Sequence, residues 1–342
     1  MSFLTFCTSA QLNRSAQTLA INFGVGSFVP HKKAMNHLIN GPAYKYEIDY
    51  TFRTQGTKSF HKAYNYPFFG VVYAFEQSGN RQKIGNMHSL NFFGGLPLYD
   101  SENPLRYRVG LGFGYIQKPF DIENNHKNNA IGSKLNSNIQ MRLEKDFQLV
   151  NKQIIRLGLG ATHFSNASFQ KPNLGLNFIQ FYLGYGFQVK QHLPTELTEK
   201  EHEINKKLQV KLITGGGFRE NDPGLGQKHF VGTFTAQVEK NLSLKSAVFV
   251  SSDNYLNNSL REMTGKTFQS GFSGGYMQCF DRLRVGFSIG AYLLNQPSPE
   301  RMFYNKLIVE YYFTKRIFGQ FLLKSHSTTA DFLSFTIGVN IR

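Results

Sequence analysis

The chain has 342 residues and a slightly negative mean hydropathy. No apolar run reaches the ~18 residues of a transmembrane helix, which excludes helical spans but not membrane strands, whose apolar and polar residues alternate. The formal net charge is +16, yet the Lys and Arg are scattered, with no basic helix and no nucleic-acid motif. Nucleic acid is therefore set aside as a partner, and a surface or lumen facing anionic lipid explains the charge as well. Gly (32), Phe (33) and Tyr (17) are abundant and Trp is absent, so short strands and turns are expected, and any interfacial girdle must be Tyr and Phe.

In chain order, 1–10 (MSFLTFCTSA) reads as the tail of a signal peptide, ending in small residues before Gln11. Its Cys7 and the distant Cys279 are the two cysteines, and neither has a metal-type spacing. If the segment is cleaved, Cys279 is the one thiol left. From residue 11 on, period-2 alternation recurs. Leu19, Ile21, Phe23 and Val25 alternate with Ala20, Asn22 and Gly24. Tyr44, Tyr46, Ile48, Tyr50 and Phe52 alternate with Lys45, Glu47, Asp49, Thr51 and Arg53. Tyr107, Val109, Leu111, Phe113 and Tyr115 face away from Arg106, Arg108 and three glycines. Sixteen candidate strands begin near 17, 43, 66, 84, 104, 132, 151, 174, 206, 228, 242, 268, 282, 302, 316 and 330. The fourth is the weakest, because 87–97 alternates poorly.

A soluble sandwich also alternates. Two features favour the membrane: large aromatics near the ends of the apolar rows, and glycine-rich polar rows suited to a concave interior. The fold class expected is all-β, an antiparallel up-and-down transmembrane barrel of about 14–16 strands in a bacterial outer membrane. The polar segment 191–205 divides the chain into halves, 11–190 and 206–342, of eight candidate strands each. Gly-rich strands open both halves (FGVGSF at 23–28, ITGGGF at 213–218). One closed barrel is preferred over two small ones, on the ground that it leaves fewer edges to protect.

Chemistry concentrates in 163–189, HFSNASFQKPNLGLNFIQFYLGYGFQV. Ile155, Leu157, Leu159 and Ala161 form an apolar row that should face lipid, and His163 and Ser165 continue it. On the returning strand Asn177 heads the corresponding row, followed by Ile179, Phe181 and Leu183. A hairpin through 166–174 brings Asn177 beside His163. A hydroxyl, an imidazole and an amide at the rim of a greasy wall suit acyl transfer. Ser165 needs a base to become nucleophilic, His163 supplies one, and the amide oxygen of Asn177 can orient the ring. A lone H-x-S at a strand end is more often an ordinary polar rim; the spacing of the whole hairpin is what shifts the reading.

The pattern His163, Ser165, Asn166, Ala167, then Pro172, Asn173 and Gly175 resembles the PagL family of outer-membrane lipid A 3-O-deacylases. The resemblance covers 163–189, with a weaker likeness in 131–147 (IGSKLNSNIQMRLEKDF). It implies a serine esterase acting on an ester-linked acyl chain of lipid A, with lipopolysaccharide and outer-membrane lipids as partners and no cofactor or metal. Ser165 then corresponds to the nucleophile and His163 to the base, with Asn173 and the Ser168 N–H as oxyanion-hole donors. The family triad ends in Glu, where this chain has Asn177, and no Asp or Glu lies between Asp146 and Glu196. An amide orients the ring without stabilising its charge; in serine proteases that exchange costs about four orders of magnitude. Family members are small eight-stranded barrels, so the second half lies outside the resemblance.

His326 in KSHSTTAD echoes the hairpin but shares a row with Lys324 and Gln320, so it reads as lumenal and structural. The region around His126 reads as a solvated loop. No zinc, phosphate-loop, dinucleotide or EF-hand motif occurs. A second reading is a barrel without catalysis, a porin or structural protein with a vestigial site; Asn177 and the extra eight strands motivate it.

Overall fold

The structure, a computed structural model, describes residues 15–100, 104–192, 207–224, 226–298, 301–327 and 329–342. The signal-like segment with Cys7 and most of the connecting segment 191–205 lie outside the described residues. Among the described residues sixteen strands follow in order. The first eight are β1 (Ser15–Phe28), β2 (Ala43–Arg53), β3 (Phe68–Gln77), β4 (Asn86–Pro97), β5 (Arg106–Ile116), β6 (Leu135–Gln148), β7 (Gln153–Ser165) and β8 (Leu176–His192). The second eight are β9 (Gln209–Glu220), β10 (Lys228–Asn241), β11 (Ser246–Asn257), β12 (Phe268–Phe280), β13 (Leu283–Leu294), β14 (Phe303–Tyr312), β15 (Ile317–His326) and β16 (Thr329–Asn340). Even the weakly alternating fourth strand forms.

The strands do not close into one barrel. β8 pairs back to β1, and β16 to β9, giving two closed eight-stranded antiparallel barrels. The preference for a single barrel is corrected here, and the reason is physical. Each small barrel also abolishes its edges, so edge protection does not choose between the two arrangements. An eight-stranded barrel has an interior just wide enough for side chains to fill, and these interiors are filled by pairs that reach across. In the first barrel Arg156 on β7 forks onto Asp146 and reaches Asp49 on β2 at 2.9 Å. Arg142 on β6 meets Glu47 at 2.6 Å, and Lys45 donates to Thr162 at 2.9 Å. Glycines make the room: a Cβ at Gly24 or Gly160 would come within 2.8 or 3.0 Å of the Tyr182 ring, on which the Arg142 guanidinium stacks at 3.5 Å. In the second barrel Lys306 binds Asp253 at 2.8 Å, and Lys211 binds Glu239 and Glu310.

The outward rows are apolar, as the alternation demands. Ile48 is 53% exposed between Tyr46 and Tyr50, and Phe181 is 66% exposed. Surface of this size and character is stable against lipid and not against water. Every β-to-β connection that begins at the end of an odd-numbered strand falls at one end of its barrel, and in the first barrel that end carries the longest loop, the 18 residues between β5 and β6. Over the first barrel the loops build an apolar cap. Met35, Leu38, Ala130 and Ile131 pack on Phe164 and Phe178 with little or no solvent access.

The two barrels touch at both ends. At the end opposite the β5–β6 loop Tyr64 stacks on Phe280 at 4.6 Å, its hydroxyl lies 2.8 Å from the Cys279 carbonyl, and Lys58 pairs with Asp281 at 2.6 Å. Cys279 itself is a buried free thiol. Between these contacts runs an apolar cleft of about 730 Å³, walled by Phe69, Phe92 and Leu111 of the first barrel and Phe280, Leu283 and Val285 of the second. At the loop end the contacts fall on the hairpin that follows β7.

Candidate active site

Register and face parity assemble the site. β7 and β8 pair with His163 directly opposite Asn177. The row before them, Leu157 and Leu159, is exposed, while Arg156, Thr162 and Phe164 between are buried in the lumen. His163, Ser165 and Asn177 therefore stand half-buried on the outer, lipid-facing row at its loop-end rim. His163 Nδ1 lies 2.6 Å from Asn177 Oδ1. With the amide oxygen facing the ring, Nδ1 carries the proton and Nε2 is left bare. Ser165 stands two residues along the same face, and its hydroxyl makes no hydrogen bond to His163 in this structure.

The loop 166–175 is built by its asparagines. Asn166 donates to Ser133 Oγ and to the Gln170 carbonyl, both at 2.7 Å, and its N–H binds Asn173 Oδ1 at 2.9 Å. Asn173 thus presents its oxygen to the loop and keeps its Nδ2 protons available. The Ser168 N–H makes no backbone hydrogen bond, and Ala167 and Ser168 both adopt left-handed φ, +53° and +64°. Left-handed backbone at non-glycine residues costs roughly 1–2 kcal/mol each and is often found at functional sites. The weaker likeness in 131–147 has a structural reason as well. Ser133 holds Asn166, and Ile131 bridges to Asn173.

Gly175 is required on two counts. Its φ is +83°, and a Cβ there would sit 2.7 Å from His163 Cε1. The glycine lets the imidazole lie against the loop backbone.

Two contributions were not read from the sequence. The first is His31, whose Nδ1 lies 3.2 Å from Asn177 Nδ2. Its pKa is lowered, by burial first and then by Lys32 and His163. Its signal in sequence is faint, because the contact depends on β1 pairing with β8 across the barrel seam. The second is the other barrel. Glu220 Oε2 accepts the Lys171 N–H at 2.6 Å, the Glu220 N–H donates to the Ser168 carbonyl at 2.9 Å, and Ser168 Oγ donates to the Ala330 carbonyl at 2.8 Å. Lys228 lies over the Phe169 ring at 4.8 Å. Glu220 is thus a carboxylate that reaches the hairpin, and it binds the loop backbone, away from His163. His326 does what its row implies: it is buried inside the second barrel against the Tyr292 hydroxyl at 3.0 Å. Among the described residues no cluster of ligating side chains could hold a metal ion.

Comparison with known proteins adds the family. Residues 44–186 match the lipid A 3-O-deacylase (PagL) family model, and 208–342 match the model of the acyloxyacyl hydrolase C-terminal domain. No curated protein matches. Among solved structures, the Acinetobacter baumannii outer membrane protein Omp33 aligns at 7% identity and TM-score 0.20, over 96% of this chain and 100% of its own. A mutant Rh. blastica porin aligns at 10% identity and TM-score 0.21, over the same shares. At these scores neither likeness carries an argument, and the fold rests on the strand pairing above. The two family matches divide where the two barrels divide, with the His163 hairpin inside the first. The first barrel belongs to the lipid A 3-O-deacylase (PagL) family, and the second matches the acyloxyacyl hydrolase C-terminal domain.

Proposed function

We propose that the protein is a serine esterase that hydrolyses an ester-linked acyl chain of lipid A, with Ser165 as nucleophile and His163 as general base. The observation that carries this reading is the 2.6 Å contact between His163 Nδ1 and Asn177 Oδ1 on the lipid-facing rim. It leaves Nε2 bare on the face that Ser165 shares. Ser165 Oγ attacks the ester carbonyl as Nε2 takes its proton. The tetrahedral oxyanion is met by Asn173 Nδ2 and the Ser168 N–H. On collapse the bond to the sugar oxygen breaks, and His163 returns the proton to that oxygen. Water, deprotonated by His163, then attacks the acyl-Ser165 ester and releases the fatty acid.

Placement supports the substrate class. The rim lies where acyl chains meet headgroups, so an ester can be cut without lifting the lipid out of the membrane. Exposed Lys32, Lys33 and Lys127 on the neighbouring loops suit anionic headgroup phosphates. The porin form of the non-catalytic reading has less support: both lumens are crossed by buried ion pairs and the first is capped by apolar loops, which does not suit conduction. The test is labelling of the folded protein in detergent with a fluorophosphonate, followed by peptide mass spectrometry. The adduct should fall on Ser165 and be abolished by His163→Ala; an adduct elsewhere, or labelling indifferent to His163, would contradict the assignment.

A further inference from the structure

An amide in place of a carboxylate creates a problem that a carboxylate does not have. Glutamate offers His163 an oxygen whichever way it turns. Asn177 offers an oxygen in one orientation and an NH₂ group in the other. With the oxygen toward the ring, Nδ1 is protonated and Nε2 is a base. With the NH₂ toward the ring, Nδ1 must be bare, the proton moves to Nε2, and His163 cannot accept a proton from Ser165. Something must choose between the two.

His31 stands where that choice is made. Its Nδ1 lies 3.2 Å from Asn177 Nδ2, on the side of the amide away from His163. A neutral His31 with Nδ1 bare accepts from the NH₂ group and thereby turns the oxygen to His163. The segment carrying it is fixed. The Val29 N–H binds the Asn177 carbonyl at 2.8 Å, so β1 runs alongside β8 up to the site. Beyond it Met35 and Leu38 are buried in the cap, His37 Nε2 bonds the Lys127 carbonyl at 2.6 Å, and Asn129 holds the Ala34 carbonyl at 2.7 Å.

We propose that His31 is a positioning residue that locks the Asn177 amide with its oxygen toward His163, so that His31 and Asn177 together replace the family's glutamate. The inference rests on reading His163 as the base. A protonated His31 would be a donor and would reverse the amide, so the lock holds only while His31 is neutral. The groups facing it are Lys32 on its own segment and His163 on β7; the start of β8 supplies no titratable side chain. His31 is exposed, and its pKa is lowered from the ordinary imidazole value by partial desolvation first and then by Lys32 and His163, a direction that favours the neutral form the contact needs.

The test compares kcat against pH for the full-length protein in detergent micelles with lipid A, in wild type, His31→Asn, His31→Ala, and His31→Ala combined with Asn177→Glu. An asparagine at 31 can place an oxygen near the Nδ1 position, accepts the same bond and does not titrate. His31→Ala is expected to lower kcat by about tenfold with KM little changed, against the ~10⁴-fold of a wholly wrong tautomer. His31→Asn should recover most of the loss and show an acid limb with one proton fewer than wild type. In the Asn177→Glu background, His31→Ala should cost nothing. Wild-type kcat across the pH range in His31→Ala, with Ser165→Ala inactive, overturns the role of His31 and leaves the esterase reading standing. Activity retained in Ser165→Ala or His163→Ala overturns both.

Discussion

The two barrels share one plan and differ in one register. Each has eight antiparallel strands, an apolar outer face and a lumen filled with ion pairs. In each, the last residues of the seventh strand include a histidine and a serine: His163 and Ser165 on β7, Ser325 and His326 on β15. On β7 the histidine falls on the lipid-facing row. On β15 it falls on the row of Lys324 and Gln320 and is buried inside. Side chains alternate with period two, so a shift of one position moves a residue to the opposite face. The following connection differs too. Ten residues, 166–175, carry the asparagine-built loop in the first barrel, whereas His326 and Thr329 are separated by two positions in the second. The fold supplies a rim in both barrels, and face parity with loop length decides which one carries the proposed site.

Substitutions can break this contrast, and the largest effect is expected at the proposed nucleophile. Ser165→Ala should reduce lipid A deacylation by about four orders of magnitude or more, and His326→Ala should leave it unchanged; steady-state assays of both variants check the pair. Next come the lumens, where the barrels should behave alike. Arg156→Ala takes from Asp49 its closest cation, although Asp146 keeps Arg106 at 2.8 Å, and Lys306→Ala takes from Asp253 the cation paired with it; each should cost up to about 3–5 kcal/mol, since a buried carboxylate loses its main counter-charge. Urea unfolding from detergent or lipid vesicles measures this, and a cost confined to one barrel would show that the shared plan is only apparent.

Smaller losses should separate the barrels again. Leu183→Arg, on the lipid face of β8, should destabilise by up to about 2–4 kcal/mol if it lies near the midplane. Gly175→Ala pushes a methyl into the His163 ring and should lower kcat by about 10- to 100-fold, as small displacements of reacting groups do. Glu220→Ala removes the second barrel's hold on the Lys171 N–H and should lower kcat by about tenfold with stability little changed. Equal activity in Glu220→Ala and wild type would mean that the second barrel takes no part in positioning the loop.

Much of this was legible in sequence, for identifiable reasons. Alternation placed all sixteen strands within a few residues, because one face of each must meet lipid and the other a polar interior. The same parity put His163, Ser165 and Asn177 on one outer row, and the pairing of His163 with Asn177 follows from the hairpin length. Closure was not legible. Whether β8 pairs with β1 or with β9 is decided by contacts across the lumen, such as Arg156 with Asp49, which are 107 positions apart. His31 was missed for the same reason: it meets Asn177 through the closing pair of strands, 146 positions away. Glu220 and Ala330 come from the other barrel, and neither carries a local signal.

The most direct measurement is mass spectrometry of lipid A from cells expressing this chain, beside cells expressing Ser165→Ala, with both proteins shown to be folded in the outer membrane. The account predicts that one ester-linked acyl chain disappears with the wild type and stays with the variant. Unchanged lipid A in both, or the same loss in both, would contradict it.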